Sequence, residues 1–480
     1  MADSLSRQFA RWAANLKYED LPPAVVDKSK AFLLHALTSA VLGGPDPRSE
    51  HAVHFTLAEE GKPDGATIMV KGGKATRLGA TYANADIMHN SGLIDSYRML
   101  THPGPVVVPA AITNAELEGK NGKDLLTALV VGYEFTFRLA DEYIPATAAS
   151  GYRPSPIYTA MGTAVAAAKL LDLDEDGFVT AIAYIANLAN ALNQGSTEGG
   201  SDGAMHEPVS ARSGVWAAQI ARENKGRVGS EHSLDGSAGF YNHVIGNNKG
   251  DLKASFVDGK TNAPLEEVFQ GLGTQYKLLT AMFRMYPFAA YNQPVIDLMA
   301  EMKVEHKINH EDIDQVYVHM NWIETLYPSP AFPRYPDFDN PRILTPAGPP
   351  TTHWYAAHSA VNGGYPEISG KTFGPTGWDL GKDEAVNKFT MEHVHLVQEK
   401  DRAMFSPAIR VVMKNGTEYK GEYPYHPRLE WDFETLAKRL EHTVPGMPGG
   451  AAALAAVVEV SRKADTLASM APIFEAVKPK

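Results

Sequence analysis

Two kinds of apolar spacing divide the chain, and they limit the folds that it can adopt. Near the N-terminus, five apolar residues share one helical face: Leu5, Phe9, Trp12, Ala13 and Leu16. Helical patterns also cover residues 123–143, 156–171, 176–193 and 211–223. After about residue 265 apolar and polar residues alternate instead, as along 316–322, which is typical of a half-buried strand. The spacing therefore predicts a mainly α protein with a second α+β domain.

The change in pattern also predicts how the chain is divided. We expect a helical domain over residues 1–265, a smaller lid-like α+β domain over 266–445, and a C-terminal helix over 446–480 that packs back on the helical domain. Two further alternating runs lie in the second domain, at 390–397 and 408–413. Asn415-Gly416 after the second run predicts a hairpin turn, because both residues tolerate positive φ.

Two other segments have a clear structural interpretation. Residues 325–352 contain eight prolines, which predicts a long surface loop or lid without regular structure. Residues 178–197 carry no formal charge, but they include several side-chain amides that are costly in a lipid bilayer. We therefore expect a buried helix there and no membrane association. The N-terminus has no apolar signal core behind a basic start, which favours a cytoplasmic protein.

Composition excludes several kinds of chemistry. The 480 residues include 44 Lys and Arg against 56 Asp and Glu, for a formal net charge of −12, which argues against a nucleic-acid partner. The chain has no cysteine, so it has no disulfide, thiolate nucleophile or cysteine-ligated metal. Phosphate-loop, dinucleotide, nucleophile-elbow and zinc-helix motifs are absent as well. His393 and His395 could bind a metal from one strand face, but without a third ligand we favour two packed histidines.

The densest group of reactive side chains lies between residues 89 and 104. This segment combines two histidines with acidic, basic and hydroxyl side chains, and Pro103-Gly104 forces a turn directly after His102. A histidine at such a corner suits a general acid or base. The alternative is structural, with Asp95 or Ser96 as a local helix cap and His102 as a turn residue.

Thr101-His102-Pro103-Gly104 followed by Val-Val-Val-Pro109 resembles the signature of the MmgE/PrpD family. Other segments resemble family motifs in the same order: residues 33–40, 83–85, 162–168, 286–297, 413–416 and 431–440. The resemblance implies a homodimer whose subunits each combine a helical and an α+β domain. It also implies proton-transfer chemistry on a small carboxylate, without a metal or an organic cofactor.

The resemblance assigns roles to particular residues. Those implied in catalysis are His102, Ser96, Asp95 and His206. Those implied in substrate binding are Tyr97, Thr101, Arg153, Arg212, Arg284, Tyr286 and Trp354. Among the positions that depart from the family pattern, Gly92 replaces an acid, Arg153 a histidine and Arg284 a lysine. Because arginine binds carboxylates but cannot act as a base at neutral pH, these changes predict an altered substrate.

The leading hypothesis is therefore a cofactor-independent lyase of the dehydratase or decarboxylase type. It would remove an α-proton from a small carboxylate other than methylcitrate. One alternative is a carboxylate epimerase, in which His102 and His206 act from opposite sides of the substrate. Another is a binding protein that has lost its activity.

Overall fold

The computed structural model is mainly helical, which confirms the predicted fold class, and it describes residues 3–224, 226–327, 342–369, 382–423 and 429–479. The first twelve helices are α1 Leu5–Asn15, α2 Pro23–Gly43, α3 Pro47–Glu60, α4 Arg77–Asn90, α5 Gly104–Leu117, α6 Gly122–Ala140, α7 Ile144–Ala149, α8 Pro154–Leu170, α9 Glu175–Ala186, α10 Gln194–Glu198, α11 His206–Glu223 and α12 Phe240–Ile245. Seven more follow: α13 Asn292–Glu305, α14 Trp322–Leu326, α15 Thr352–Asn362, α16 Glu384–His393, α17 Phe433–Leu440, α18 Gly450–Arg462 and α19 Ala471–Ala476.

Helices α5, α6 and α8 form the centre of the helical part, and nearly all of their residues are buried. The alanines at 164 and 166–168 are fully buried, as expected for close helix packing. A Cβ atom added to Gly162 of α8 would lie 2.5 Å from the carbonyl oxygen of Gly132 on α6. Only glycine at this crossing lets the two helices approach so closely.

In the described ranges, nine short strands form three sheets. The strands are β1 Gly61–Thr67, β2 Lys74–Ala75, β3 Asp95–Ser96, β4 Met282–Phe283, β5 Ile313–Asn321, β6 Arg342–Leu344, β7 Val394–Glu399, β8 Ala408–Met413 and β9 Glu418–Glu422. The largest sheet has the order β6-β7-β5-β8-β9, in which only β5 and β7 are parallel. Gly416 has a φ of +84° between β8 and β9, which confirms the predicted hairpin.

Two predictions in the second half need correction, one of a strand and one of a loop. Residues 390–393 belong to α16, so the strand begins at Val394 and His393 does not share a strand face with His395. The Nδ1 of His393 donates a hydrogen bond to the carbonyl of Asp314 at 2.7 Å, and His395 contacts Gln315, so both rings are packed. Residues 328–341 of the proline-rich segment lie outside the described residues. Residues 342–344 are nevertheless a strand, because their backbone pairs with β7.

The uncharged segment 178–197 is helical at its start, in α9, and again from Gln194, in α10. Helix α9 ends at Ala186, and Leu188 and Leu192 beyond it are exposed, so the helix predicted to reach residue 193 is seven residues too long. Helix α10 is a single turn. Within the described ranges, no helix has both the length and the apolar character needed to cross a bilayer.

The C-terminal segment contacts the helical part of the molecule. The backbone N–H of Gly122 at the start of α6 donates to the carbonyl of Leu467 at 2.8 Å, and Lys30 of α2 forms an ion pair with Asp465 at 2.7 Å. The two-residue pairing of β3 with β4 joins residues 95–96 to residues 282–283. It therefore brings together two segments that are far apart in the sequence, and the candidate site lies beside it.

Candidate active site

A cavity of about 370 Å³ lies between the segment after α4 and residues 284–291. Its lining includes polar and charged side chains: Arg48, His89, Asn90, Ser91, Ser96, Arg98, His102, Arg153, Arg284, Tyr291 and Tyr327. The remaining lining residues are Gly92, Ile94, Met99, Leu100, Pro287, Phe288, Ala289, Ala290 and Phe405. The volume is within the range of small-molecule sites, and the lining combines polar and charged side chains with apolar ones.

His102 is held at the corner between a tight turn and α5. The turn closes through a hydrogen bond from the Tyr97 N–H to the Thr101 carbonyl at 2.9 Å, and Arg98 and Leu100 have left-handed φ values of +47° and +64°. The backbone N–H of His102 donates to Ser155 Oγ at 3.1 Å. Left-handed backbone at a non-glycine residue is unfavourable, so the surrounding packing must hold this turn in place.

The hydrogen bonds of His102 determine its tautomer. Its Nδ1 lies 2.8 Å from the carbonyl oxygen of Asp95, and because a carbonyl can only accept, Nδ1 carries the proton. Nε2 therefore presents a lone pair, and it lies 3.3 Å from an Arg284 guanidinium nitrogen. Burial, with a further contribution from the charge of Arg284, lowers the pKa of His102 well below its usual value. His102 is thus a neutral imidazole at neutral pH, with its basic nitrogen beside a cation.

Arg284 directly follows β4, and its backbone is held by two side chains. His35 of α2 donates from Nε2 to the Arg284 carbonyl at 2.9 Å. The amide of Gln293 bonds to the Met285 N–H at 2.9 Å and to the Phe283 carbonyl at 3.0 Å. Burial lowers the pKa of Arg284 to about 10, so the guanidinium stays charged at neutral pH. These contacts place a cation where a bound carboxylate would meet His102.

The carboxylate of Asp95 does not line the cavity, although its residue was expected to be catalytic. One oxygen accepts the Gly104 N–H at 2.8 Å, and the other accepts the Tyr133 hydroxyl at 2.6 Å. Burial raises the pKa of Asp95 to about 6. The Asp95 carboxylate therefore holds the first turn of α5, while its carbonyl orients His102.

The neighbouring hydroxyl residues have different positions. Ser96 lines the cavity, and its Oγ lies 3.2 Å from His102 Nδ1. Tyr97 points away, stacks on Phe137 and donates to Asp141 at 2.6 Å. Thr101 is fully buried outside the lining, and its hydroxyl has no hydrogen-bond partner in the described part of the chain.

A buried acid contacts two residues of the cavity lining, Arg153 and His89. Glu207 of α11 accepts a hydrogen bond from Arg153 at 2.9 Å, and its second oxygen lies 3.5 Å from Nε2 of His89. Arg153 also donates to Ser196 Oγ at 2.7 Å. Although burial alone raises the pKa of Glu207, its pairing with Arg153 and His89 lowers it to about 2. Glu207 is therefore ionised, and it neutralises Arg153.

Besides Asp95, Tyr97 and Thr101, four more of the residues expected at the site lie outside the cavity lining. Arg212 is ion-paired with Glu60. Tyr286 packs edge-on against Phe288, which is itself part of the lining. Trp354 is buried in α15 and donates to Asn387 at 2.9 Å. His206 precedes Glu207 at the start of α11 but is not part of the lining.

Sequence reasoning missed two participants, His89 and Glu207. His89 belongs to the reactive segment but lies in the last turn of α4, whereas His102 lies just before α5. Only the fold places both histidines in one cavity.

Gly92 also lines the cavity, where the family pattern has an acid. Its φ is +68°, and a Cβ atom there would lie 2.8 Å from the Pro287 Cβ. A side chain at this position is therefore excluded both by backbone conformation and by contact.

The arrangement favours proton transfer next to a bound anion. A neutral imidazole presents its lone pair to the cavity, and a guanidinium beside it can bind a carboxylate and stabilise the charge that develops on it. Across the described part of the chain, no group of three His, Asp or Glu side chains could hold a metal ion.

Comparison with known proteins places this site in a family. The family model described as the MmgE/PrpD N-terminal domain matches residues 7–253, about half of the 480-residue chain. The cis-aconitate decarboxylase-like protein oryM of Aspergillus oryzae is 26% identical over 298 residues, which cover 59% of this chain and 58% of that protein. Cis-aconitate decarboxylase of Aspergillus terreus (strain NIH 2624 / FGSC A1156) is 23% identical over 332 residues, covering 66% and 65%.

Cis-aconitate decarboxylase of Homo sapiens is 28% identical over 255 residues, which cover 50% of each chain. The alignments thus span between half and two thirds of the length of these relatives. These relatives are named as decarboxylases or decarboxylase-like, at low sequence identity to this chain. The matched family region contains His102, Arg153 and Glu207 of the candidate site. The chain belongs to the MmgE/PrpD family.

Proposed function

We propose that the protein is a cofactor-independent lyase that acts on a small carboxylate, with His102 as its acid–base group. The observation that carries this proposal is the tautomer of His102, whose Nε2 lone pair faces the cavity beside Arg284. The lyase names of the relatives support the reaction class, but they do not specify a substrate for this chain.

In the proposed reaction, Arg284 binds the substrate carboxylate and so leaves His102 Nε2 free to accept a proton. Nε2 removes the α-proton, and the electron pair of the broken C–H bond is delocalised into the carboxylate, where Arg284 stabilises the added charge. In a dehydration, a β-hydroxyl then leaves with the proton returned by the imidazolium, which gives water and an alkene. In a decarboxylation the C–CO₂ bond breaks in place of the α C–H bond, its electron pair is delocalised into an adjacent double bond, and the carbon that receives the pair takes one solvent proton delivered through His102.

A second candidate is an epimerase, which needs two acid–base groups at one substrate. His89 favours this candidate, because it lines the same cavity and its buried Nδ1 has no hydrogen-bond partner among the described residues. His206, the second base expected from the sequence, is outside the lining. His89 therefore replaces His206 in the epimerase proposal.

Deuterium exchange tests both candidates. The protein is incubated in D₂O with a panel of carboxylates that carry an acidic α C–H bond and a β-hydroxyl or unsaturated substituent, and each signal is followed by NMR. Loss of the α C–H signal with a new alkene signal, or with release of CO₂, supports the lyase. Exchange with inversion and no other product supports the epimerase. Carboxylates that bind but never exchange would contradict both.

The homodimer, the cytoplasmic location and the three-part domain division stay predictions. Light scattering checks the homodimer, because the subunit mass is 52.0 kDa and a dimer would have twice that mass.

A further inference from the structure

The charges around the cavity are unevenly compensated. Among the described residues, four arginines line it: Arg48, Arg98, Arg153 and Arg284. The first three are each paired with carboxylates. Arg48 contacts Asp46 at 2.8 Å, Arg98 contacts Asp141 at 2.9 Å and Glu142 at 3.1 Å, and Arg153 contacts Glu207 at 2.9 Å.

A paired arginine is a poor site for a second anion. To bind a substrate carboxylate, Arg153 would have to share its guanidinium with Glu207, which is fully buried and ionised. Two carboxylates on one buried cation repel each other, and neither could keep its hydrogen bonds. Arg153 therefore contributes a neutral, hydrogen-bonding wall.

Arg284 is different, because no carboxylate of the described residues lies within ion-pair distance of it. Its guanidinium lies 3.3 Å from Nε2 of His102, which is uncharged. Its own Nε is buried without a hydrogen-bond partner in the described part of the chain. The cavity thus presents one uncompensated positive charge, directly beside the proposed acid–base group.

The rest of the enclosure suits an uncharged group. Its apolar walls come from two segments of the chain: Ile94, Met99, Leu100, Phe288, Ala289 and Ala290. A second carboxylate pressed against these side chains would lose its water without gaining a cation, which is costly. The cavity of about 370 Å³ has room for about a dozen water-sized volumes of roughly 30 Å³ each.

We propose that the substrate carries a single carboxylate, bound by Arg284, and an uncharged, largely apolar body that fills the remaining cavity. This proposal rests on the proposed function for the position of the reacting carbon next to His102. It distinguishes the chain from an enzyme built for a di- or tricarboxylate, which would need a second free cation. The pairing of Arg153 with Glu207 is the feature that removes that cation.

A matched pair of ligands tests the proposal without turnover. Hexanoate and adipate share the same carbon chain, but adipate ends in a second carboxylate where hexanoate ends in a methyl group. We expect calorimetry to show that the protein binds hexanoate at least tenfold more tightly than adipate or propane-1,2,3-tricarboxylate. Arg284→Met should abolish hexanoate binding, whereas Arg462→Met, an exposed ion-paired arginine on α18, is the matched control and should leave it unchanged.

The pairing of Arg153 is tested by Glu207→Gln, which keeps the size and a hydrogen-bond acceptor but removes the charge. Arg153 then becomes a second free cation, so adipate should gain at least tenfold in affinity while hexanoate changes little. In the double variant Arg153→Met/Glu207→Gln both charges are gone, and the preference for hexanoate should return. This second variant keeps the test valid if the single variant is unstable.

Equal or tighter binding of adipate or the tricarboxylate to the unmodified protein would overturn the proposal, as would a failure of hexanoate to bind. The proposed function fails separately. If the preference for one carboxylate is found but no bound carboxylate exchanges its α-proton, the substrate class stands and the lyase does not.

Discussion

The two sides of the cavity each contain an arginine and a histidine, yet they are built differently. On one side, Arg284 lies next to the neutral His102, and no carboxylate of the described residues compensates the charge of Arg284. On the other side, Arg153 and His89 both contact the buried Glu207. Residue types are therefore a poor guide to function here, because a single buried acid decides whether an arginine is free to bind substrate.

The two sides also differ in how they are supported. The Arg284 side depends on the pairing of β3 with β4, on His35 and Gln293 behind the backbone, and on the Asp95 carbonyl behind His102. The Arg153 side depends on the buried Glu207, which contacts both Arg153 and His89, and on a hydrogen bond from Arg153 to Ser196. The first arrangement leaves a cation without a carboxylate partner among the described residues, whereas the second neutralises its cation, although Nδ1 of His89 and Nε of Arg153 have no hydrogen-bond partner there.

The largest expected effect distinguishes the two histidines. In His102→Asn, the amide nitrogen can still donate to the Asp95 carbonyl, but the basic Nε2 is lost, so kcat/KM should fall by about 10²–10⁴. His89→Gln should lower it less than tenfold if the enzyme is a lyase. Steady-state rates on a substrate found by deuterium exchange measure both variants, and thermal unfolding checks that each is folded. Equal losses in both would instead favour the two-base epimerase.

Stability should separate the two arginines. Arg153→Met leaves Glu207 buried without its cation, which costs about 3–5 kcal/mol in the free energy of unfolding. Arg284→Met removes a cation that has no carboxylate partner in the described chain, so it should be neutral or stabilising. Urea denaturation of the two variants measures the difference. A larger loss of unfolding free energy in Arg284→Met than in Arg153→Met would contradict the assignment of Arg284 as the cation without a carboxylate partner.

A third test concerns the support of the His102 side. Asp95→Ala leaves the Gly104 N–H and the Tyr133 hydroxyl without their buried acceptor, at a cost of about 1–3 kcal/mol each. Asp95→Asn keeps one acceptor and should lose much less stability. If Asp95 only positions His102 and α5, the asparagine variant keeps most of its kcat. A collapse of kcat in a fully stable Asp95→Asn variant would mean that the carboxylate takes part in the chemistry.

The smallest effect is a shift in pH dependence. His102 must be neutral to accept a proton. Because its pKa lies well below the usual value of 6.5, the imidazole is still neutral at pH values somewhat below 6.5. The acidic limb of kcat/KM should therefore lie below pH 6.5. Arg284 contributes to lowering this pKa, so a substitution that removes its charge raises the pKa and moves the limb to higher pH. The residual activity of Arg284→Met, followed from pH 4 to pH 8, checks the direction, and a limb that stays in place would contradict it.

Much of the fold follows from local pattern. The change from helical to alternating spacing near residue 265 correctly predicts where the large sheet is found, and Asn415-Gly416 correctly predicts its hairpin. The errors occur where local pattern is ambiguous or overridden. Residues 390–393 alternate like a strand but continue α16, and the apolar character of 178–197 outlasts α9, which ends at Ala186.

The site divides in the same way. The sequence by itself placed His102 at a corner of the chain, and the motif around it indicated the family. The turn predicted directly after His102 was wrong, because Gly104 begins α5 and the tight turn lies before His102, at residues 97–101. Only the tertiary structure decided which basic groups are available. Arg153, Arg212 and Arg284 are equivalent in a sequence, but their free charge depends on partners 54, 152 and, for the histidine beside Arg284, 182 residues away. Electrostatic interaction acts through space and is strongest where water is excluded. Only the folded chain therefore decides which arginine is neutralised by a carboxylate and which one can bind a substrate anion.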